Sequence, residues 1–188
     1  QYGVKLHVRS SFNHNTGTIV KEDAIMNKDL EKELIVCGVA HDMNVLKVTL
    51  FGVPDRPGVA GDIFGHLSRL NVNVDMIIQS GSRDMRQDIS FTCGRDDRAR
   101  VESVMQDMVR QLPAENYAVV DTVAKVSVVG AGMISHPGVA ATMFRILSEN
   151  NINIWMISTS EIKISCVIDE DEVTKAVMAL HTAFGLDD

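Results

Sequence analysis

The chain has 188 residues, 45% of them hydrophobic and 23% charged, a globular composition that allows one medium domain or two small ones. Its 18 Lys+Arg against 25 Asp+Glu leave a net charge of −7, a poor match for nucleic acid or an acidic membrane. No apolar run reaches the ~18–20 residues of a membrane span, and three scattered cysteines (Cys37, Cys93, Cys166) make neither a disulfide framework nor a zinc site, so a reducing cytoplasmic compartment is expected.

In chain order, Val4, Leu6 and Val8 alternate as in a strand already under way, and the start at Gln1 suggests a piece of a longer polypeptide. Residues 34–40, LIVCGVA, read as an apolar strand. Residues 47–53, KVTLFGV, read as another that ends at a glycine. A turn then leads to Pro57, expected at the first helical position, where its missing N–H costs nothing. Val59, Ile63, Phe64, Leu67 and Leu70 recur at helical spacing. After an Asn-rich turn come a strand at 72–80, a long polar hairpin at 81–87 and a strand at 88–93. The acidic pair Asp96-Asp97 opens a helix whose core face is Val101, Val104, Met105 and Met108. A strand near Tyr117–Val120 closes the first unit as βαββαβ.

The pattern then repeats. KVSVVGA at 125–131 matches KVTLFGV, Pro137-Gly138-Val139-Ala140 matches Pro57-Gly58-Val59-Ala60, and Phe144, Leu147, Ser148, Asn151, Asn153, Met156 and Ile157 match residues 80 positions earlier. Strands at 152–160 and 162–168 and a helix marked by Val173, Val177 and Leu180 follow, but a fourth strand does not. The spare strand at 34–40 supplies it if it crosses over, which inserts the first unit within the second.

The turn Gly52-Val53-Pro54-Asp55-Arg56-Pro57-Gly58 with Asn71-Val72-Asn73-Val74-Asp75-Met76, and its second copy Ser135-His136-Pro137-Gly138 with Asn151-Ile152-Asn153-Ile154, resemble the amino-acid-binding ACT module. The longer phrases HVRSSF (7–12), GVPDRPG (52–58), NVDMIIQ (73–79), VGAGMISHPGV (129–139) and ISTSEIKIS (157–165) resemble the regulatory region of aspartate kinase over nearly the whole chain. The resemblance implies an α+β fold of two ferredoxin-like βαββαβ ACT modules. The first is inserted into the second, with antiparallel sheets and helices on one face. Residues 1–33 would be the tail of a kinase domain and a linker, 45–121 the first module, and 34–44 plus 122–188 the second.

The same resemblance implies effector contacts at both helix starts. Helix-start amides attract a carboxylate, so Val59 and Ala60 would contribute amides to that end of an amino acid, with Pro57 fixing the turn and Gly58 leaving room for close approach. Asp55 would pair with its ammonium, flanked by Arg56, and Gln79 would bond its amine or side chain. Taken alone, Asp55 reads as a simple turn residue. Asn73 and Asn153 read alone as turn asparagines; the resemblance gives their strands, with Val74, Asp75 and Ile154, the role of finishing a pocket. Asp75 can hold an ammonium, whereas its counterpart Trp155 is expected to pack, so the two pockets are not equivalent. The second would be lined by Met133, Ile134, Ser135, His136, Gly138 and Val139, with Ser158, Thr159, Ser160 and Glu161 nearby.

Catalytic residues, metal ligands and cofactors are expected to be absent. Gly130-Ala131-Gly132 lacks the third glycine of a dinucleotide loop, His41, His66 and His181 lack ligand spacing, and nothing reads as a phosphate-gripping loop. ATP and magnesium would belong to the missing kinase domain, which phosphorylates L-aspartate at the start of lysine, threonine and methionine biosynthesis. The expected role is feedback inhibition of that domain by threonine, lysine or both, in a homodimer joined through its sheets. Threonine is expected at the Asp55–Gln79 pocket and lysine at a second. The alternatives are a freestanding ACT-type sensor or a dimerisation module without a kinase.

Overall fold

A computed structural model of the chain describes residues 6–9, 18–20, 35–130 and 136–187. Two short strands, β1 (Leu6–Val8) and β2 (Thr18–Val20), pair antiparallel. The remainder is a single antiparallel sheet in the order β4-β5-β3-β6-β8-β7. Its strands are β3 (Gly38–Pro54), β4 (Val74–Gln79), β5 (Arg86–Cys93), β6 (Asn116–Val129), β7 (Met156–Thr159) and β8 (Lys163–Asp169). The helices are α1 (Val59–Arg69), α2 (Arg98–Gln111), α3 (Gly138–Glu149) and α4 (Val173–Ala183).

The strands expected at 34–40 and 47–53 merge into one that starts at Gly38, and those expected at 117–120 and 125–131 merge into one that ends at Val129. The polar stretch Asp42–Asn44 reads as a break in the sequence, but it is absorbed by bulges instead. The register of β3 on β6 slips between Asp42 and Val45 and again between Val45 and Lys47, one extra residue falling on each strand. Each bulge shifts the alternation by one residue. On β6, Tyr117 and Val119 pack with the first helical core, while Ala124, Val126 and Val128 pack with the second. On β3 the change runs from Val39 to Leu46, Val48 and Leu50. Without the bulges, one module would turn its apolar side away from its helices.

The inserted topology follows from the pairing. The second half of β3 pairs with β5 and with the first half of β6, and β4 closes that unit. The first half of β3 pairs Gly38–Asp42 with Lys125–Val129, beside β8 and β7. Both glycines that end the repeated apolar runs sit where the segment feeding a fourth strand passes close by. A Cβ on Gly130 would stand 2.1 Å from the Ile35 carbonyl oxygen, and one on Gly52 2.5 Å from the Glu115 side chain.

All four helices lie on one face. Their cores are separate, one around Phe91, Ile63 and Met105 and the other around Met143, Leu147 and Leu180. Phe91 is fully buried and meets Phe64 edge to face at 5.6 Å; truncating it to alanine should cost ~3–5 kcal/mol. A third cluster, formed by Val45, Met76, Val123, Met156 and Val167, lies on the helix-free face and joins the two modules. Hydroxyl pairs recur at matching positions of that face, the buried Thr49 with the half-buried Ser90 at 2.9 Å and the buried Ser127 with Ser165 at 2.8 Å.

The helix ends also repeat. Asn71 and Asn151 adopt φ of 54° and 56°, and the amides of Val72 and Ile152 bond back to Leu67 and Leu147. These are Schellman caps with asparagine in the left-handed position. The acidic stretches form single 3-10 turns, Arg95–Asp97 and Glu170–Glu172, ahead of α2 and α4.

Burial pushes the thiols of Cys93 and Cys166 up to about 12, aided at Cys93 by the nearby Asp97 carboxylate, while Cys37 is exposed. Thiol titration of the native chain at pH 8 should therefore modify Cys37 alone, with Cys93 and Cys166 reacting only after denaturation.

Candidate functional site

The two helix starts are built differently. After β3 ends at Pro54, the Asp55 amide donates to the Met85 carbonyl at 2.8 Å, which ties the turn to the β4–β5 hairpin. Gly58 is the N-cap of α1 with φ of 95°, and the helix begins at Val59. Pro57 therefore precedes the cap instead of occupying the first helical position, because the left-handed glycine delays the helix by two residues. Gly58 carries no side-chain cap, so the first-turn amides lack that partner. Arg56 and Asp62 form an exposed pair at 3.9 Å. Val59 is buried and Ala60 exposed.

In the second module Pro137 is itself the N-cap and Gly138 the first helical residue. A hollow of ≈ 440 Å³ lies beside this start, lined by Ile35, Val36, His136, Pro137, Gly138, Val139, Thr142, Phe184 and Gly185. Met133, Ile134 and Ser135 lie outside the described residues. Ser158, Thr159, Ser160 and Glu161 end β7 and begin its turn, where Ser160 donates its amide to the Lys163 carbonyl, and they do not line this hollow.

The helices set how far apart the expected site residues stand. At 1.5 Å per residue, the 11 residues of α1 carry the chain ~16 Å from Asp55–Ala60 to Asn73–Asp75. The 12 residues of α3 likewise separate His136–Val139 from Asn153 and Ile154 by ~18 Å. One module therefore does not unite its helix start with its own Asn turn. Gln79 returns along β4 toward the start of α1, where its side-chain amide donates to Gln87 at 2.5 Å.

Asn73 and Asp75 instead line a hollow of ≈ 380 Å³ at the module junction with Asp42, Asn44, Asp97 and Lys125, among others. Asp75 is paired with Lys125, which also lies 3.7 Å from Asp42. Asn153 and Ile154 line a separate hollow of ≈ 470 Å³ beneath α3 with Phe144, Ser148, Asn151 and Ile152. Trp155, expected to pack, is 44% exposed; Lys47 sits 5.1 Å from its ring centroid, and its indole N–H donates to Asp169 at 2.9 Å. Burial lowers the Lys47 pKa from its ordinary value.

Lys47 and Lys125 thus clasp opposite modules from equivalent positions, one on an aromatic face and the other on carboxylates. Both open the repeated phrase (KVTLFGV, KVSVVGA), and their recurrence was the available signal. Phe184 and Ile35 carried no such signal, since they reach the second helix start only through the fold. Among the described residues, no group of three or more His, Cys, Asp or Glu could hold a metal ion, and no helix is long and apolar enough to cross a membrane.

Comparison with known proteins agrees with this architecture. The ACT domain family matches residues 47–109 and, separately, residues 126–184. An aspartokinase of Mycolicibacterium smegmatis is 45% identical over 99% of this chain, and an aspartate kinase of Pseudomonas putida 43% identical over 100%. The chain spans only 44% and 45% of those relatives. A crystal structure of aspartokinase alpha and beta subunits superposes with TM-score 0.75 at 47% identity, covering 80% of this chain and 99% of that one. The ligand-free regulatory subunit of aspartate kinase from Thermus thermophilus gives 0.76 at 36% identity, with the same coverage of 80% and 99%.

A Cβ at Gly58 would meet nothing within 4 Å, so only its φ of 95° opposes a side chain. Gly58→Ala should lower stability by ~1–2 kcal/mol in chemical denaturation. At Gly138, with ordinary backbone and the same open space, alanine should be neutral or slightly stabilising.

Proposed function

Starting from the aspartate kinase family, to which this chain belongs as its ACT-bearing regulatory region, we propose that it binds end-product amino acids, threonine or lysine, and transmits feedback inhibition to a catalytic region. That region would phosphorylate L-aspartate with ATP and magnesium in the cytoplasm, and this chain would contribute no catalytic group.

The observation that carries the reading is the separation of each helix start from its own Asn turn by a whole helix. A pocket that uses both takes its Asn turn from another module, and in this reading a second copy of the chain supplies it. A carboxylate at the uncapped amides after Gly58, an ammonium at Asp55 and the Asn-turn backbone of a partner would together enclose one amino acid at a dimer seam. Threonine is the first choice for the Asp55–Gln79 end. Such ligands favour the dimer arrangement in which both halves of the pocket meet.

The magnitudes call for several ligands. One effector supplies a coupling of ~1–3 kcal/mol, whereas swinging a two-state population from one extreme to the other takes ~5.5 kcal/mol. Two or more sites on a twofold seam reach that figure, and one does not.

Titration calorimetry with L-threonine and L-lysine, separately and mixed, should give saturable binding, and sedimentation should show a dimer strengthened by ligand. Asp55→Ala should weaken binding at least tenfold, ~1.4 kcal/mol, with an unchanged melting curve. Isotherms unaltered by that substitution would remove Asp55 from the site. An absence of heat with either amino acid would favour a dimerisation module.

A further inference from the structure

The two modules meet about a local twofold axis. Val45 of β3 and Val123 of β6 face each other between the two bulges, each two residues ahead of its repeated lysine, Lys47 or Lys125. The 3-10 turns ahead of α2 and α4 are related in the same way. Cys93 pairs with Leu46 as Ile168 pairs with Ala124, so Arg95 and Glu170 hold matching first positions of their turns. An unchanged duplication would set like charges against each other here. The chain carries one cation and one anion instead, and Arg95 reaches across the axis. Its Nε donates to the Val45 carbonyl at 3.1 Å, and its Nη2 donates to the Val123 carbonyl at 2.8 Å and to Glu170 Oε2 at 2.5 Å. Asn44, from the polar stretch of β3, accepts the Arg95 backbone amide at 2.8 Å and donates its side-chain amide to Asp96 at 3.4 Å.

We propose that Arg95 is the residue that couples the two modules: it fixes the paired bulges and carries a displacement of either 3-10 turn across the local axis to the other module. A bulge disrupts the ladder locally and leaves backbone groups in need of partners. The planar guanidinium spreads its donors over separate nitrogens, so one side chain serves a carbonyl from each shared strand and the carboxylate of the opposite turn. A shift at the start of α2 moves Arg95 directly, and one at the start of α4 moves Glu170, which draws on the same guanidinium. Both shifts therefore converge on the bulges where β3 and β6 pass from one module to the other. The coupling is independent of which ligand the helix starts take.

Hydrogen exchange of the 188-residue chain, read by mass spectrometry, resolves the two modules. Arg95→Met should speed exchange at least ~10-fold in both bulges (42–47 and 120–125) and also in the opposite turn and helix start (169–176). Arg98→Met, which removes the neighbouring pairs with Glu102 and Asp121, should leave 169–176 unchanged. Glu170→Gln keeps both carbonyl bonds, so it should loosen 169–176 and spare 42–47. The local axis makes a charge swap the sharper probe. Glu170→Arg alone sets two cations together and should speed exchange on both sides. Combined with Arg95→Glu, the introduced arginine can reach the same two carbonyls from the opposite turn, and rates should return close to those of the parent chain. Arg95→Lys keeps the charge without the fork; it replaces Arg95→Met if that chain does not fold, and should give the same pattern at smaller amplitude. Effects of Arg95→Met or Arg95→Lys confined to 95–100, or a double swap as damaging as its two reversals added together, would leave Arg95 a local anchor and overturn the coupling.

Discussion

The β3–β6 ladder is the constraint on which the rest of the molecule depends. Each strand serves both modules, so the face presented by one half is coupled to the face presented by the other. A strand alternates with period two, and an uninterrupted ladder would carry an apolar face past the point where the next module needs it reversed. One bulge on each strand, around Val45, resets the alternation. Four helices then cover one side of a six-stranded sheet, and the opposite side is left for Val45, Val123, Val167 and the two methionines that join the modules. Pairing distant strands from both halves makes the modules a single folding unit, although each keeps its own helical core.

Duplication and divergence can be followed on this frame. Features set by backbone geometry recur: the asparagine caps after α1 and α3, the crowded glycines at 52 and 130, the hydroxyl pairs and the acidic 3-10 turns. Features that meet the other module have changed. Asp75 became Trp155, and so one lysine clasp is ionic while the other lies on an aromatic ring. An exposed ion pair contributes ~0–1 kcal/mol and is weakened by salt. A lysine over a tryptophan contributes ~0.5–2 kcal/mol and depends less on ionic strength. The junction is therefore held by two contacts of unlike chemistry, and the carboxylate clasp includes Asp75, beside the Asn turn of the first module. Asp75 already has a cation in Lys125, so an effector ammonium drawn there would compete with that clasp.

Much of the organisation was legible from the amino acids alone. The repeat, the order of elements, the crossover of the early strand and the apolar faces of the helices follow from periodicities of two and 3.6, which local sequence records directly. The glycine at 52 marked the end of an apolar run, and the phrases around Asp55 and Asn73 marked the family. The sequence by itself therefore determined what each segment is and which module it belongs to. Only the tertiary structure decided that strands separated by polar Asp42–Asn44 are one strand, that Lys125 holds Asp75, and that Phe184 and Ile35 wall the second helix start. Those facts depend on register and on contacts between residues far apart in the chain. Hydrophobic pattern constrains one face of one element, and the pairing of distant faces is settled only when the whole sheet closes.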